Sequence, residues 1–180
     1  MANMRSLLFI VLATTTVAAS AQWYDPQTRA PIPDNEWRQH SNQLGVMLAL
    51  TSNPKKFMEE WYNTPESHAP RLDTTEKVKK GDIIGALVFF SGCGAEGGTC
   101  DAKVDFKVLS PNGTVYGEHN GSEVWPHPSA KPKVVVLSQA SLQIRIEPSD
   151  PLGTYTVLAT FRSPSAKSVF HLKRRFEVVQ

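Results

Sequence analysis

The chain has 180 residues, with 19 Lys and Arg against 17 Asp and Glu, for a formal charge of +2. A balance so near zero removes the general electrostatic case for nucleic acid or an anionic membrane surface as partner. With 41% apolar residues, the sequence has the material for one domain with a real core and reads as neither a fibrous protein nor a charged disordered tail.

At the start of the chain, Arg5 supplies a positive charge, Leu7 to Val17 form an apolar run, and Ala19-Ser20-Ala21 precede Gln22. This is the layout of a secretory signal peptide, so residues 1–21 are expected to be cleaved and to take no part in the fold. No later apolar run approaches the 18 or so residues that a membrane span needs, so no transmembrane segment is expected in the mature chain. Export would place that chain in the periplasm or outside the cell, where disulfides persist.

Residues 22–76 read as an N-terminal arm, a possible strand, a helix and a linker. The arm, QWYDPQTRAPIPDNEWRQHSNQ, is polar and Pro-rich, and no strand pattern stands out in it. Gly45 to Thr51 is a strand candidate too uniformly apolar to assign a face. The helix is predicted over about 53–62: Asn53 suits the N-cap and Pro54 the first turn. Phe57, Met58, Trp61 and Tyr62 fall on one side of it, and the Thr64-Pro65 pair ends it. Residues 63–76 then lack periodicity.

From Lys77 to Gln180 the text is strands. Asp82 to Phe90 is a buried strand, and Ala102 to Leu109 alternates apolar and charged residues. Pro111-Asn112-Gly113 is a turn, followed by a short strand over 114–117 and a loop over 118–132. Val134 to Leu137, the alternating run 142–147, Gly153 to Arg162 and a last strand around 170–178 complete the set. Arg174 falls on the apolar side of that last strand, which predicts a bulge or a sheet edge there, because a buried arginine is costly. Short strands without alternating helices predict an all-β fold, an antiparallel β-sandwich over 77–180 with one short N-terminal helix.

The run Asp150-Pro151-Leu152-Gly153-Thr154-Tyr155 resembles the D-x-x-G-x-Y signature of immunoglobulin-like sandwiches. The resemblance implies that Tyr155 opens the penultimate strand with its hydroxyl bonded a few residues upstream, and that Asp150 and Gly153 are structural. Val157 stands where antibody-type domains carry their second inter-sheet cysteine. The chain therefore resembles the immunoglobulin-like modules of secreted and periplasmic bacterial proteins, macroglobulin-type domains among them, which supports a fold and not a function.

Both cysteines lie in Ser91-Gly92-Cys93-Gly94-Ala95-Glu96-Gly97-Gly98-Thr99-Cys100. A redox pair usually reads C-x-x-C beside a helix N-terminus, and a zinc site needs four ligands, so neither spacing fits. The reading preferred is a structural Cys93–Cys100 disulfide in a glycine-rich loop.

The remaining candidates are weaker. Trp125, with His127 and His119, is the binding candidate: an aromatic on a sandwich loop can stack on a sugar or anchor a partner, or fold back to cap the sandwich. His171, Lys173 and Arg175, with Lys103 and Lys107, could form a basic surface for an acidic partner, although interspersed Asp105 and Glu177 suggest a solvated strand face. Asn112 and Asn120 head N-x-S/T sequons that turn chemistry already explains. No catalytic motif, metal cluster or cofactor signature stands out. The function expected is thus a non-enzymatic binding or structural module of the cell envelope, with a protein or glycan partner. The alternatives are a secreted hydrolase with dispersed catalytic residues, or a thiol redox or metal protein centred on Cys93 and Cys100.

Overall fold

The computed structural model describes residues 23–25, 28–65, 68, 70–94, 98–129 and 134–180. Residues 1–21, expected to be a signal peptide, lie outside these described residues. Among them, nine strands and one helix build two sheets packed face to face, an all-β, sandwich-like fold.

The first sheet contains β1 (Arg38–Ser41), β2 (Leu44–Thr51), β4 (Ile83–Ser91) and β7 (Val136–Arg145), in the order β1-β2-β4-β7. The second contains β3 (Lys77–Lys79), β9 (Ser168–Val179), β8 (Gly153–Ser163), β5 (Lys103–Leu109) and β6 (Val115–Glu123), in the order β3-β9-β8-β5-β6. β1–β2, β5–β6 and β8–β9 are antiparallel neighbours in sequence. The chain changes sheet after β2, β3, β4, β6 and β7, as a sandwich core requires.

Between the sheets, the alternation seen in the sequence becomes the core. Val104, Phe106 and Val108 of β5, Tyr155, Val157 and Phe161 of β8, and Phe170, Leu172 and Phe176 of β9 meet Val46, Leu48 and Leu50 of β2 and Ile84, Ala86, Val88 and Phe90 of β4. The first sheet is also covered on its other side. Helix α1 (Pro54–Asn63) lays Phe57, Met58 and Trp61 over Ala49, Leu87, Phe89 and Leu137, with Trp61 edge-on to Phe89 at 4.9 Å. This explains the uniformly apolar text of β2 and β4: a strand buried on both faces has no polar side to alternate with. The helix starts as its sequence predicts, with the Asn53 side chain accepting from the Lys56 N–H at 3.0 Å. Its first turn comes close to the sheet at Gly85, where a side chain would press on Pro54.

Four expectations are corrected. The sandwich does not begin at residue 77: β2 lies between β1 and β4 inside the first sheet, because its apolar run needs cover on both faces. Part of the arm is itself strand β1. The pairing is not wholly antiparallel, since β3 runs parallel to β9; the two are far apart in sequence, so no hairpin sets their direction. The strand expected to end at Gly117 continues to Glu123 through two bulges, one taking Tyr116 out of register and one at Gly121, whose φ is +73° and whose N–H bonds Asp105.

Arg174 is handled by the sheet edge. β8 and β9 pair without a break from Gly153↔Val178 to Ser163↔Ser168, so no bulge intervenes between them. β3 covers β9 only at residues 177–179, and the guanidinium emerges beyond it, stacked over Trp37 at 4.5 Å with Glu76 at 3.3 Å.

Candidate functional site

Cys93 and Cys100 form a disulfide with both residues buried. Its position gives it meaning, since Cys93 follows β4 of the first sheet and Cys100 precedes β5 of the second. The staple therefore pins a crossing between layers, and closing so short a loop is worth about 2.5 kcal/mol in unfolded-state entropy. Gly92 (φ +75°) and Gly94 (φ +80°) serve the same turn: a side chain on Gly92 would overlap the Gln43 carbonyl, and one on Gly94 the Thr99 carbonyl. Asp101, next to Cys100, accepts from the Ser165 N–H (2.8 Å), Ser165 Oγ (2.8 Å) and Ser163 Oγ (3.2 Å), tying the crossing to the β8–β9 turn. Burial opposes its charge, but those donors hold its carboxyl below the usual range.

The Trp125 turn leans on this crossing. Thr99 bridges Pro128, and the Ser129 N–H donates to Gly98. Val124 takes part on both sides, with its N–H on Ala102 and its carbonyl accepting from Gln139. The Trp125 ring folds back against Phe90 at 6.1 Å, and its Nε1–H donates to the Pro128 carbonyl at 3.0 Å. His127 sits edge-on to Trp125 at 5.0 Å, with the Gln139 side-chain amide 2.6 Å from its Nε2. Trp125 is half-buried, while Pro126, His127 and Pro128 are exposed. His119 does not join this pair. It lies on β6 opposite Phe106, and among the described residues no hydrogen bond, ion pair or ring contact links it to Trp125 or His127.

Asp150, Gly153 and Tyr155 sit at the opposite end and are structural in their contacts. Tyr155 is fully buried, stacks on Phe176 at 5.3 Å and donates its hydroxyl to the Pro151 carbonyl at 3.1 Å. Asp150 accepts from the Glu147 N–H (2.7 Å) and from the Tyr116 hydroxyl (2.5 Å), and Gly153 has a φ of +124°. Burial first, and then the Asp150 carboxylate, push the pKa of both Tyr116 and Tyr155 up, so both stay protonated donors.

The sequence reading missed a third region, the seam where the arm meets β9. The Glu36 carboxylate is held by Lys173 (2.5 Å) and Arg175 (2.9 Å), and the Lys173 N–H donates to the Glu36 carbonyl at 2.5 Å. Gln39 donates its side-chain amide to the His171 carbonyl at 3.0 Å. The bond to Lys173, with its neighbour Arg175, holds Glu36 below the usual carboxylate range. The guanidiniums of Arg174 and Arg38 both stand over the Trp37 ring, at 4.5 and 4.9 Å. The only available signal was the run Lys173-Arg174-Arg175 opposite an acidic-aromatic Glu36-Trp37 pair, more than a hundred residues away.

Other charged pairs on the second sheet balance locally: Asp105 with Arg162, Lys107 with Glu118, and Lys77 with Glu177. Asp34 orients His40 at 2.6 Å, the kind of contact that a histidine and an aspartate also make within a catalytic triad. Among the described residues no hydroxyl or thiol bonds that imidazole to complete it. The described residues hold no group of three or more metal-ligating side chains, and no helix among them is long and apolar enough to cross a membrane.

No protein-family model and no curated protein matches the sequence. Solved structures give distant matches. A family 123 glycoside hydrolase from Clostridium perfringens aligns at 10% identity and a TM-score of 0.40, over 75% of this chain and 27% of that one. A Niemann-Pick type C2 protein from Japanese carpenter ant aligns at 7% identity and 0.38, over 74% and 89%. A CARDB domain from Pyrococcus furiosus aligns at 10% identity and 0.37, over 82% and 98%. The chain thus spans about a quarter of the hydrolase's length, and likeness at this level says nothing about what the chain does.

Proposed function

We propose that this protein is an exported, non-enzymatic binding module of the immunoglobulin-like, macroglobulin-type kind, which meets an envelope or extracellular protein or glycan through the Trp125–Pro128 turn. The observation that carries the reading is the anchoring of that turn. Its aromatic is seated on Phe90, its indole N–H is satisfied, and its backbone is tied to the disulfide-pinned crossing, while Pro126, His127 and Pro128 face solvent. A turn fixed before binding loses little entropy on binding.

The sheet edges support this choice of surface, because each is managed. β3 is short and carries Lys77 and Lys79, β6 is bulged twice, β7 is met by Val124 and by the Tyr116 hydroxyl at its two ends, and β1 is backed by β9. The disulfide and the expected signal peptide support an oxidising, exported location.

A glycan array and site-specific photo-crosslinking test the reading together. A crosslinker at position 127 should capture a defined envelope partner, or the array should return a defined glycan, with either signal lost in Trp125→Ala. If position 127 labels no more than a control crosslinker at exposed Val169, and the array is blank, the reading fails.

A further inference from the structure

We propose that the cleft between the arm and the outer face of the second sheet binds a small carboxylate of the uronate, or acidic-sugar, class. The site is distinct from the Trp125 turn and does not depend on that reading. The cleft has a volume of about 390 Å³, at the small end of the range for ligand sites. Glu36 and Gln39 of the arm form one wall; Leu158 and Thr160 of β8 and His171 and Lys173 of β9 form the floor and the other wall.

The strand register arranges these groups in rows. Lys173 stands opposite Leu158, and His171 opposite Thr160, one pleat repeat (about 7 Å) further along. The cleft therefore offers an ammonium and an apolar side chain in one row, and an imidazole and a hydroxyl in the next. His171 Nδ1 and Thr160 Oγ1 lie 3.5 Å apart. A pyranose ring has the matching character, with an apolar C–H face and a hydroxyl rim, and a uronate adds one carboxylate.

Charge decides for the acidic sugar over the neutral one. Glu36 is a single anion held by two cations, Lys173 and Arg175, so the arm leaves one positive charge uncompensated. The adjoining rows do not cancel it, because Asp105 with Arg162 and Lys107 with Glu118 are each internally neutral. The Lys173 ammonium has three N–H donors, and among the described residues its side-chain partner is Glu36. An incoming carboxylate at the remaining donors completes the pairing that Glu36 begins. The arm wall is fixed in advance by the Lys173 N–H to Glu36 and Gln39 to His171 bonds.

The test is a titration of the full mature chain with glucuronate, galacturonate, glucose and acetate, followed by ¹⁵N NMR and calorimetry. Saturable shifts should centre on the amides of Thr160, His171 and Lys173 with the uronates, with glucose and acetate each at least about tenfold weaker. Thr160→Val should weaken uronate binding severalfold with its melting temperature unchanged, since Thr160 takes no part in holding the arm. Lys173→Met should abolish binding. An oligo-uronate that binds more tightly would identify a polymer as the source, and equal affinity the free sugar. No shifts at these amides, glucose binding as well as glucuronate, or undiminished binding by Thr160→Val would each overturn the proposal. Trp125→Ala should leave uronate binding intact, which separates this result from the fate of the turn.

Discussion

The two sheets are built from the same strand-forming residues, yet they treat their outer faces differently. The first is roofed by α1 and reads as unbroken apolar text, as in Leu44–Thr51 and Ile83–Ser91. The second has no helix outside, only the arm along β9, and its strands alternate, strictly in Lys103–Leu109 and with one break at Arg174 in Ser168–Val179. The stability of a side chain on an outer face should therefore depend on which sheet carries it. The second sheet's outer face also carries charge and a cleft.

That contrast can be broken by mutation. Phe89→Ala, under the helix and fully buried, should cost about 3–5 kcal/mol in urea unfolding. A loss below 1 kcal/mol would mean that the helix is not a roof. Removing the staple with the double change Cys93→Ser and Cys100→Ser should cost about 2.5 kcal/mol, with the folded spectrum retained; an unchanged melting temperature would show that the crossing between sheets is held by its other contacts alone. On the inner side of the second sheet, Tyr155→Phe removes one buried hydrogen bond and should cost about 1 kcal/mol. Val169→Thr, on the outer face, should fall within about 0.5 kcal/mol of the parent.

Acid sharpens the same contrast. Asp105 is held below its ordinary range by Arg162 and the Gly121 N–H, as Glu36 is by Lys173. Depressed folded values mean that these carboxylates contribute their full stabilisation above about pH 5 and lose it as the pH falls through the lowered values. A urea midpoint that declines below that pH, less steeply in Asp105→Asn, is the expected profile; no difference between the two proteins would show that the second sheet's outer face contributes nothing electrostatic.

Much of this architecture was legible in the chain. The Asn53-Pro54 start, the period-two strands from Lys103 onward and the Asp150-to-Tyr155 corner are local features whose chemistry lies within a few residues. The outer roof was harder to read, because an apolar run such as Gly45 to Thr51 has the same text whether one face or both are covered. β1 and the Glu36 seam were not legible. Their partners lie up to 139 positions away, and charged residues on a strand ordinarily signify only water. Trp125 and His127 lie together because they share one turn, whereas His119, grouped with them on the expectation of a loop over 118–132, is carried away on strand β6.

The meeting of the arm with β9 also sets an order of events for a chain made from its N-terminus. β9 is hydrogen-bonded to β8, to β3 and to the arm, so residues 168–179 are the common partner of segments made far earlier. Until they emerge, the second sheet lacks an inner strand, Trp37 lacks the Arg174 guanidinium, and the doubly buried β2 and β4 have only part of their cover. Contacts of such long sequence separation make for slow, late closure. A nascent chain stopped before Ser168 should therefore be held by whatever binds exposed apolar strands, and released only when residues 168–179 arrive.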